Sequence, residues 1–150
     1  MLKLRRSIDL PPHRSSGFDH GDVHLGTGRV FVAHTAMGTI EVIDGEQGVH
    51  IGTLPDCPEA SGVLCAQKEN LVSGAARAGG KILLIEATSG AVRWEVNVGQ
   101  RPNGLAWDSR RKRLLVADVH DFPPEELPCS RVRGGSVSGE PRPGRCTHHG

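Results

Sequence analysis

Val98-Gly-Gln-Arg-Pro-Asn-Gly-Leu-Ala-Trp-Asp-Ser-Arg-Arg-Lys-Arg-Leu-Leu-Val-Ala-Asp-Val119 is the stretch from which the rest of the chain can be read. A loop, Gly99–Asn103, leads into a short apolar run, Leu105–Trp107. A polar turn, Asp108–Arg113, separates that run from a second one, Leu114–Val119. Runs this short, rich in Leu and Val and bounded by Gly, Pro, Asn and Asp, predict strands rather than helices. The stretch is therefore a β-hairpin approached through a Pro-Asn-Gly corner.

The same device occurs twice before. From Phe18 onward, the run Asp22–Leu25, the turn Gly26–Arg29 and the run Val30–His34 are followed by strands at Thr39–Asp44 and Val49–Leu54, with Gly-containing turns between them. The cycle restarts with runs at Gly62–Ala66, Leu71–Ala75, Lys81–Ala87 and Ala91–Val98, and restarts again at Asn103. Aligning the cycles pairs Val30 with Leu71 and Leu114, Ile43 with Ile85, Gly48 with Gly90, and Gly21 with Gly62 and Gly104, at offsets of 41 to 43 residues. A period of roughly 40–45 residues with about four short strands per unit is the signature of a β-propeller blade. The expected fold is all-β: about two and a half four-stranded blades forming an incomplete ring over residues 18–119.

The segments Gly38-Thr-Ile-Glu-Val-Ile-Asp44, Gly80-Lys-Ile-Leu-Leu-Ile-Glu86 and Val98–Asp108, the last followed by Leu-Leu-Val-Ala-Asp, resemble the repeats of YVTN-type β-propellers. The resemblance spans about Phe18–Val119. It implies a propeller but leaves the activity open, because such repeats serve binding scaffolds and enzymes alike.

Composition agrees with a strand-and-turn protein. Gly numbers 20 and Pro 10 of 150 residues, aromatic residues make up 3%, and Tyr is absent. The formal net charge of +1 supplies no global field to recruit nucleic acid or an anionic membrane, and no nucleic-acid motif is present. Residues 1–17, ending in Pro-Pro-His-Arg-Ser-Ser-Gly, read as an extended, poorly ordered lead-in. No apolar run of signal-peptide or membrane-spanning length follows their basic start, which points to the cytoplasm. Residues 120–150 are rich in Gly, Pro, Arg and Ser with almost no apolar content, so they are expected to be disordered and read as a shifted reading frame or premature end. An incomplete ring leaves end faces and strand edges open, and self-association through those edges is expected. Cys57, Cys65, Cys129 and Cys146 lack CxxC spacing and are expected as free thiols.

In a propeller, the loops that lead into the innermost strands ring one mouth of the central channel. Here those loops are Phe18–Asp22, Asp56–Gly62 and Gln100–Gly104, and the alignment makes His20, Ser61 and Asn103 equivalent, with Glu59 and Arg101 beside them. His20, Glu59, Arg101 and Asn103 are the candidate ligand-binding residues, for a protein or a small polar ligand at the channel mouth. His34 and Asp118 fall at matching ends of the second strands. The Asn and Glu oxygens suit a hard divalent cation, Ca²⁺ or Mg²⁺. The Pro-Asn-Gly-Leu-Ala segment also resembles the corner that supplies a metal-binding Asn in the regucalcin/gluconolactonase family. That resemblance implies a metal-ligand role for Asn103 alone; in the alternative to a scaffold, a lactonase-type hydrolase, Glu59 is the further candidate ligand.

Other polar groupings read as structure rather than chemistry. His20, Asp22 and His24 are expected as exposed loop polarity, and Asp108–Arg113 as a solvated turn. Trp94 and Trp107 are expected to fill the space between blades, and Cys146, His148 and His149 match no zinc spacing. No nucleophile elbow, P-loop, dinucleotide fingerprint or HExxH motif assigns a nucleophile or general base.

Overall fold

The computed structural model describes residues 1–12 and 17–119, together with the backbone of 132–136. The described residues form strands β1 (Phe18–His24), β2 (Arg29–His34), β3 (Thr39–Asp44), β4 (Val49–Leu54), β5 (Ala60–Ala66), β6 (Leu71–Ala76), β7 (Lys81–Glu86), β8 (Val92–Asn97), β9 (Pro102–Asp108), β10 (Arg113–Asp118) and β11 (Val132–Ser136). They make three antiparallel sheets, β1-β2-β3-β4, β5-β6-β7-β8 and β9-β10-β11, and the sheets are not closed into a ring. The first strands β1, β5 and β9 lie side by side in that order, as the innermost strands of successive blades do. No helix among the described residues is long and apolar enough to cross a membrane.

Each hairpin turn among the described residues closes on a residue in the left-handed region: Gly28, Gly38, Gly48, Asn70, Gly80, Gly90 and Lys112, with φ between 52° and 76°. Glycine adopts that conformation without steric cost and Asn at little, which is why the sequence repeats them there. The turn Asp108–Arg113 fits this plan. The Asp108 carboxylate accepts the amides of Arg110 and Arg111 at 3.1 and 3.0 Å.

The repeat proves stricter than the sequence alignment. First strands begin at Phe18, Ala60 and Pro102 and second strands at Arg29, Leu71 and Arg113, so corresponding residues stand 42 apart throughout. The equivalents of Leu71 are thus Arg29 and Arg113, while Val30 matches Val72 and Leu114. The alignment slips by one residue where it pairs Gly21 with Gly62 and Val30 with Leu71, and every first strand carries a β-bulge at its start. Phe18 and Gly21 oppose His34 and Val32, Ala60 and Val63 oppose Ala76 and Gly74, and Pro102 and Gly104 oppose Asp118 and Ala117. The extra residue breaks the alternation of the strand. It also means that Phe18–Asp22, Ala60–Gly62 and Pro102–Gly104, expected as loop, belong to strands.

Two further expectations are corrected. Within 120–150, expected without regular structure, the backbone of β11 pairs along β10 from Arg113↔Ser136 to Ala117↔Val132. Its Gly-rich stretch offers main-chain donors and acceptors to an edge that would otherwise lie open. Residues 120–131 and 137–150, with Cys129, Cys146, His148 and His149, lie outside the described residues. Trp107 does pack between blades, but Trp94 on the outer strand β8 is 52% exposed.

Two apolar seams hold the blades together. Phe31, Ala33, Ile40 and Val42 of the first blade meet Val63, Cys65, Val72, Leu83 and Ile85 of the second. On the other side, Ala75, Ile82 and Leu84 meet Leu114 and Val116 of the third, with Leu105 and Trp107 alongside. Cys57 and Cys65 are free thiols, and burial pushes both up to about 12, so neither is a ready thiolate.

The second and third blades approach closely at Gly62. A methyl group there would overlap the carbonyl oxygen of Asn103 and crowd Leu105 Cγ at 3.0 Å, whereas a methyl at Gly52 would meet nothing within 4 Å. Gly62→Ala is expected to destabilise the chain by about 1–3 kcal/mol, and Gly52→Ala to leave it unchanged or slightly stabilised. Paired denaturant titrations measure both.

Candidate functional site

With the 42-residue register, the residues equivalent at the start of the first strands are Asp19, Ser61 and Asn103, and His20 matches Gly62 and Gly104. His20, grouped by sequence with Ser61 and Asn103, stands one residue out of that register. Its ring is 61% exposed, with Nδ1 2.7 Å from Asp19 Oδ1. The three true equivalents serve different ends. Ser61 is fully buried, and its hydroxyl donates to the Pro102 carbonyl at 3.0 Å, with the Ala75 carbonyl at 3.3 Å as the other acceptor in reach. It clasps the second blade to the third. Asp19 and Asn103 instead turn to a residue that sequence reasoning missed, Arg77.

Arg77 follows β6 directly and begins the turn to β7. Its Nη2 donates to Asp19 Oδ2 at 3.1 Å and to Asn103 Oδ1 at 2.9 Å. One guanidinium from the second blade thus holds the first strands of the blades on either side. Its backbone amide donates to the Glu59 carbonyl at 3.4 Å, the matching bond in the third blade is Val119 to Arg101 at 2.9 Å, and in the first blade Gly17, 42 residues before Glu59, accepts from Ala36 at 3.2 Å, one residue further along. Gly17, Glu59 and Arg101 are therefore repeat equivalents, and Glu59 and Arg101 both sit at positive φ, 51° and 53°. Their side chains face each other loosely across the rim, Arg101 Nη2 to Glu59 Oε2 at 3.8 Å. Between them lies a hollow of about 480 Å³ lined by Glu59, Arg77, Gly79, Gly80, Gly99 and Arg101.

Three of the four sequence candidates, Glu59, Arg101 and Asn103, are thus gathered around Arg77, and His20 reaches the group through Asp19. The signal for Asp19 was present in the strict period. Arg77 carried none, because one Arg after a run of small residues is an ordinary turn residue until the neighbouring blades are placed.

The arrangement does not suit a divalent cation at Asn103 and Glu59. Asn103 Oδ1 is taken by the Arg77 guanidinium and the Glu59 carboxylate faces Arg101, so both expected ligands are engaged by fixed positive charges that would repel a metal ion. Among the described residues, no group of three His, Cys, Asp or Glu side chains is placed to hold one. His24, expected to be exposed, is buried, with Nδ1 3.1 Å from Thr27 Oγ1. Asp22 binds the backbone amide of Cys65 across the blade seam at 2.8 Å.

A second polar cluster, also unforeseen, lies on the outward face of the first blade. Glu41 is fully buried. Its Oε1 accepts from Thr39 Oγ1 at 2.7 Å and His34 Nδ1 at 3.1 Å, and its Oε2 from Thr53 Oγ1 at 2.6 Å and His50 Nε2 at 2.8 Å. At the repeat positions in the second blade stand Leu83 for Glu41, Ala76 for His34 and Val92 for His50. The centre of the cluster is therefore apolar in the second blade, while Thr39 and Thr53 correspond to the ion-paired Lys81 and Glu95. Phe18 stacks on His34 with ring centroids 4.2 Å apart, and Ile8–Pro12 of the lead-in line the hollow beside both rings. Arg6 donates to the Gln47 carbonyl at the same blade's outer turn. Residues 6–12 thus lie along the first blade, outside any strand. The strand Thr39–Asp44, which reads as alternating, is buried on both faces from Thr39 to Ile43 for this reason.

No family model and no curated protein matches the chain. Solved structures do. The Cps50 (Swd1) β-propeller domain of Myceliophthora thermophila aligns with 81% of this chain at a TM-score of 0.59 and 16% identity, over 40% of its own length. The Kuenenia stuttgartiensis hydrazine synthase aligns with 61% of this chain at a TM-score of 0.57 and 12% identity, over 26% of its length. The chain is all-β and built of propeller blades, and it spans less than half of either structure. At such identities the likeness is one of fold.

Two outcomes follow. Burial raises the affinity of the Glu41 carboxyl for its proton, but the bonds from Thr53, Thr39, His34 and His50 outweigh it and hold the group below its ordinary 4.5. A depressed folded-state value means that the network's stabilisation is complete above the unfolded value and is lost as pH falls through the folded one. Glu41→Gln is expected to cost about 1–3 kcal/mol near neutrality and to flatten the acid limb below pH 4.5 in a stability–pH profile. Millimolar Ca²⁺ or Mg²⁺ is expected to leave the melting temperature unchanged.

Proposed function

We propose that this chain is a binding scaffold for a protein partner, engaged at the rim where the first strands of its blades begin. The observation that supports this reading is the convergence on Arg77 of Asp19 and Asn103 from the flanking blades, beside the concave surface between Glu59 and Arg101. A polar, concave rim held by rigid strands is where a propeller presents its recognition surface. The rim holds no nucleophile paired with a base, and its ionisable groups are committed to one another in ion pairs, which favours recognition over catalysis. The likeness of the repeats to YVTN-type propellers is compatible with this reading, since that architecture hosts scaffolds.

A photo-crosslinking residue placed at Gln100, on the rim, is expected to trap partner proteins in a lysate of the source cells. The same residue at Val92, on the outer strand, is expected to trap none. Equal capture at both positions, or none at Gln100, would overturn the reading.

A further inference from the structure

Resting on the reading of the rim as a protein-binding surface, we infer that the hollow beside Arg77 and Arg101 recognises a carboxylate of the partner, an exposed Asp or Glu side chain. Arg77 and Arg101 line the same hollow of about 480 Å³; the side-chain bonds of Arg77 run through Nη2 alone, and Arg101 only approaches Glu59, at 3.8 Å, so both guanidinium groups keep N–H donors that no described group of the chain accepts. Two guanidinium groups with donors to spare beside one hollow suit a planar carboxylate, whose two oxygens accept in the plane of such a fork.

The floor of the hollow is shaped for close approach. Gly79, Gly80 and Gly99 line it, and a methyl on Gly80 would overlap the Gly99 carbonyl, so no side chain fills the space. Arg77 is locked by Asp19 and Asn103 through Nη2, so its remaining donors are already oriented. Arg101 is held by Glu59 at 3.8 Å, beyond hydrogen-bond length, and an incoming carboxylate displaces that weak contact without breaking a strong one.

Charge chooses between anions. Asp19 and Glu59 offset the two arginines, leaving the rim near neutral, and the whole chain carries a formal charge of only +1. Such a site takes a singly charged group through directed hydrogen bonds. A phosphodianion or a polyanionic backbone calls for an excess of positive charge that this rim does not have.

The arrangement assigns opposite effects to two neighbouring residues. Arg101 donates to the ligand, so Arg101→Gln weakens binding. Glu59 competes with the ligand for Arg101, so Glu59→Gln strengthens it. Both side chains are more than 40% exposed, and neither substitution disturbs the buried seams.

The test is fluorescence polarisation of the full chain with a labelled hexapeptide of alternating Glu and Gly at low ionic strength, with the Gln-for-Glu peptide, inorganic phosphate and a single-stranded oligonucleotide as comparisons. The Glu peptide is expected to bind about tenfold or more tightly than its Gln counterpart, corresponding to about 1.4 kcal/mol. Arg101→Gln is expected to abolish that preference, and Glu59→Gln to improve affinity about threefold. Equal binding of the two peptides, no binding of the Glu peptide up to about 1 mM, weakening by Glu59→Gln, or stronger binding of phosphate or the oligonucleotide would each overturn the carboxylate assignment. If Gln100 crosslinking still captures a partner in that case, the scaffold reading stands and this inference alone fails. If neither experiment succeeds, both fail.

Discussion

Everything in this molecule depends on the apolar contact between one blade's face and the next. A single four-stranded antiparallel sheet cannot bury both faces of its own apolar residues, and an isolated blade would leave Leu83 and Ile85 on one side and Ile82 and Leu84 on the other in water. Stacking removes that cost by setting Phe31, Ile40 and Val42 against Leu83 and Ile85, and Ile82 and Leu84 against Leu114 and Val116. Because the contact repeats with a fixed geometry, the sequence must repeat with a fixed period, and the 42-residue spacing is the chemical record of that requirement.

Stacking also determines where polar groups can go. The seam leaves little room for side chains between first strands, and at Gly62 the backbones of β5 and β9 come close enough that a methyl group would overlap the Asn103 carbonyl. Polar residues at the strand starts are therefore pushed to the rim or buried as clasps. Ser61, buried, joins two backbones with its hydroxyl, while Asp19 and Asn103, at the rim, are joined by Arg77. The recognition surface is thus a by-product of the packing rule: the same close approach that excludes bulk from the seam brings three chain segments, far apart in sequence, to one spot.

The two ends of the array are unlike. The outward face of the first blade carries the Glu41 network at positions where the second blade carries Leu83 and Ala76, and residues 6–12 lie against that blade. A buried carboxylate is tolerable only because four donors surround it. This polar face is not interchangeable with the apolar faces that pair between the described blades. The third blade ends differently, with β11 pairing along β10 through backbone bonds.

Much of this was legible in the amino-acid sequence because turns and strands are local. The glycines at Gly28, Gly38, Gly48, Gly80 and Gly90 announce turns that need positive φ, the runs between them are too short for helices, and the recurrence of the pattern identifies a stacked array. These features follow from steric rules within a few residues, so the sequence by itself determined the all-β class, the blade unit and the strand order within each blade. The tertiary structure decided the rest. The alignment matched Gly21 with Gly62, one residue off the 42-residue register, and so chose His20 where the fold places Asp19. Arg77, Asp19 and Asn103 lie in separate repeats, and no local pattern states that one guanidinium reaches both partners. Glu41 sits in an ordinary-looking strand, and only the assembled face supplies the four donors that bury it. Contacts between residues distant in sequence depend on how faces meet, and that is settled when apolar surfaces pack, not when the chain is read.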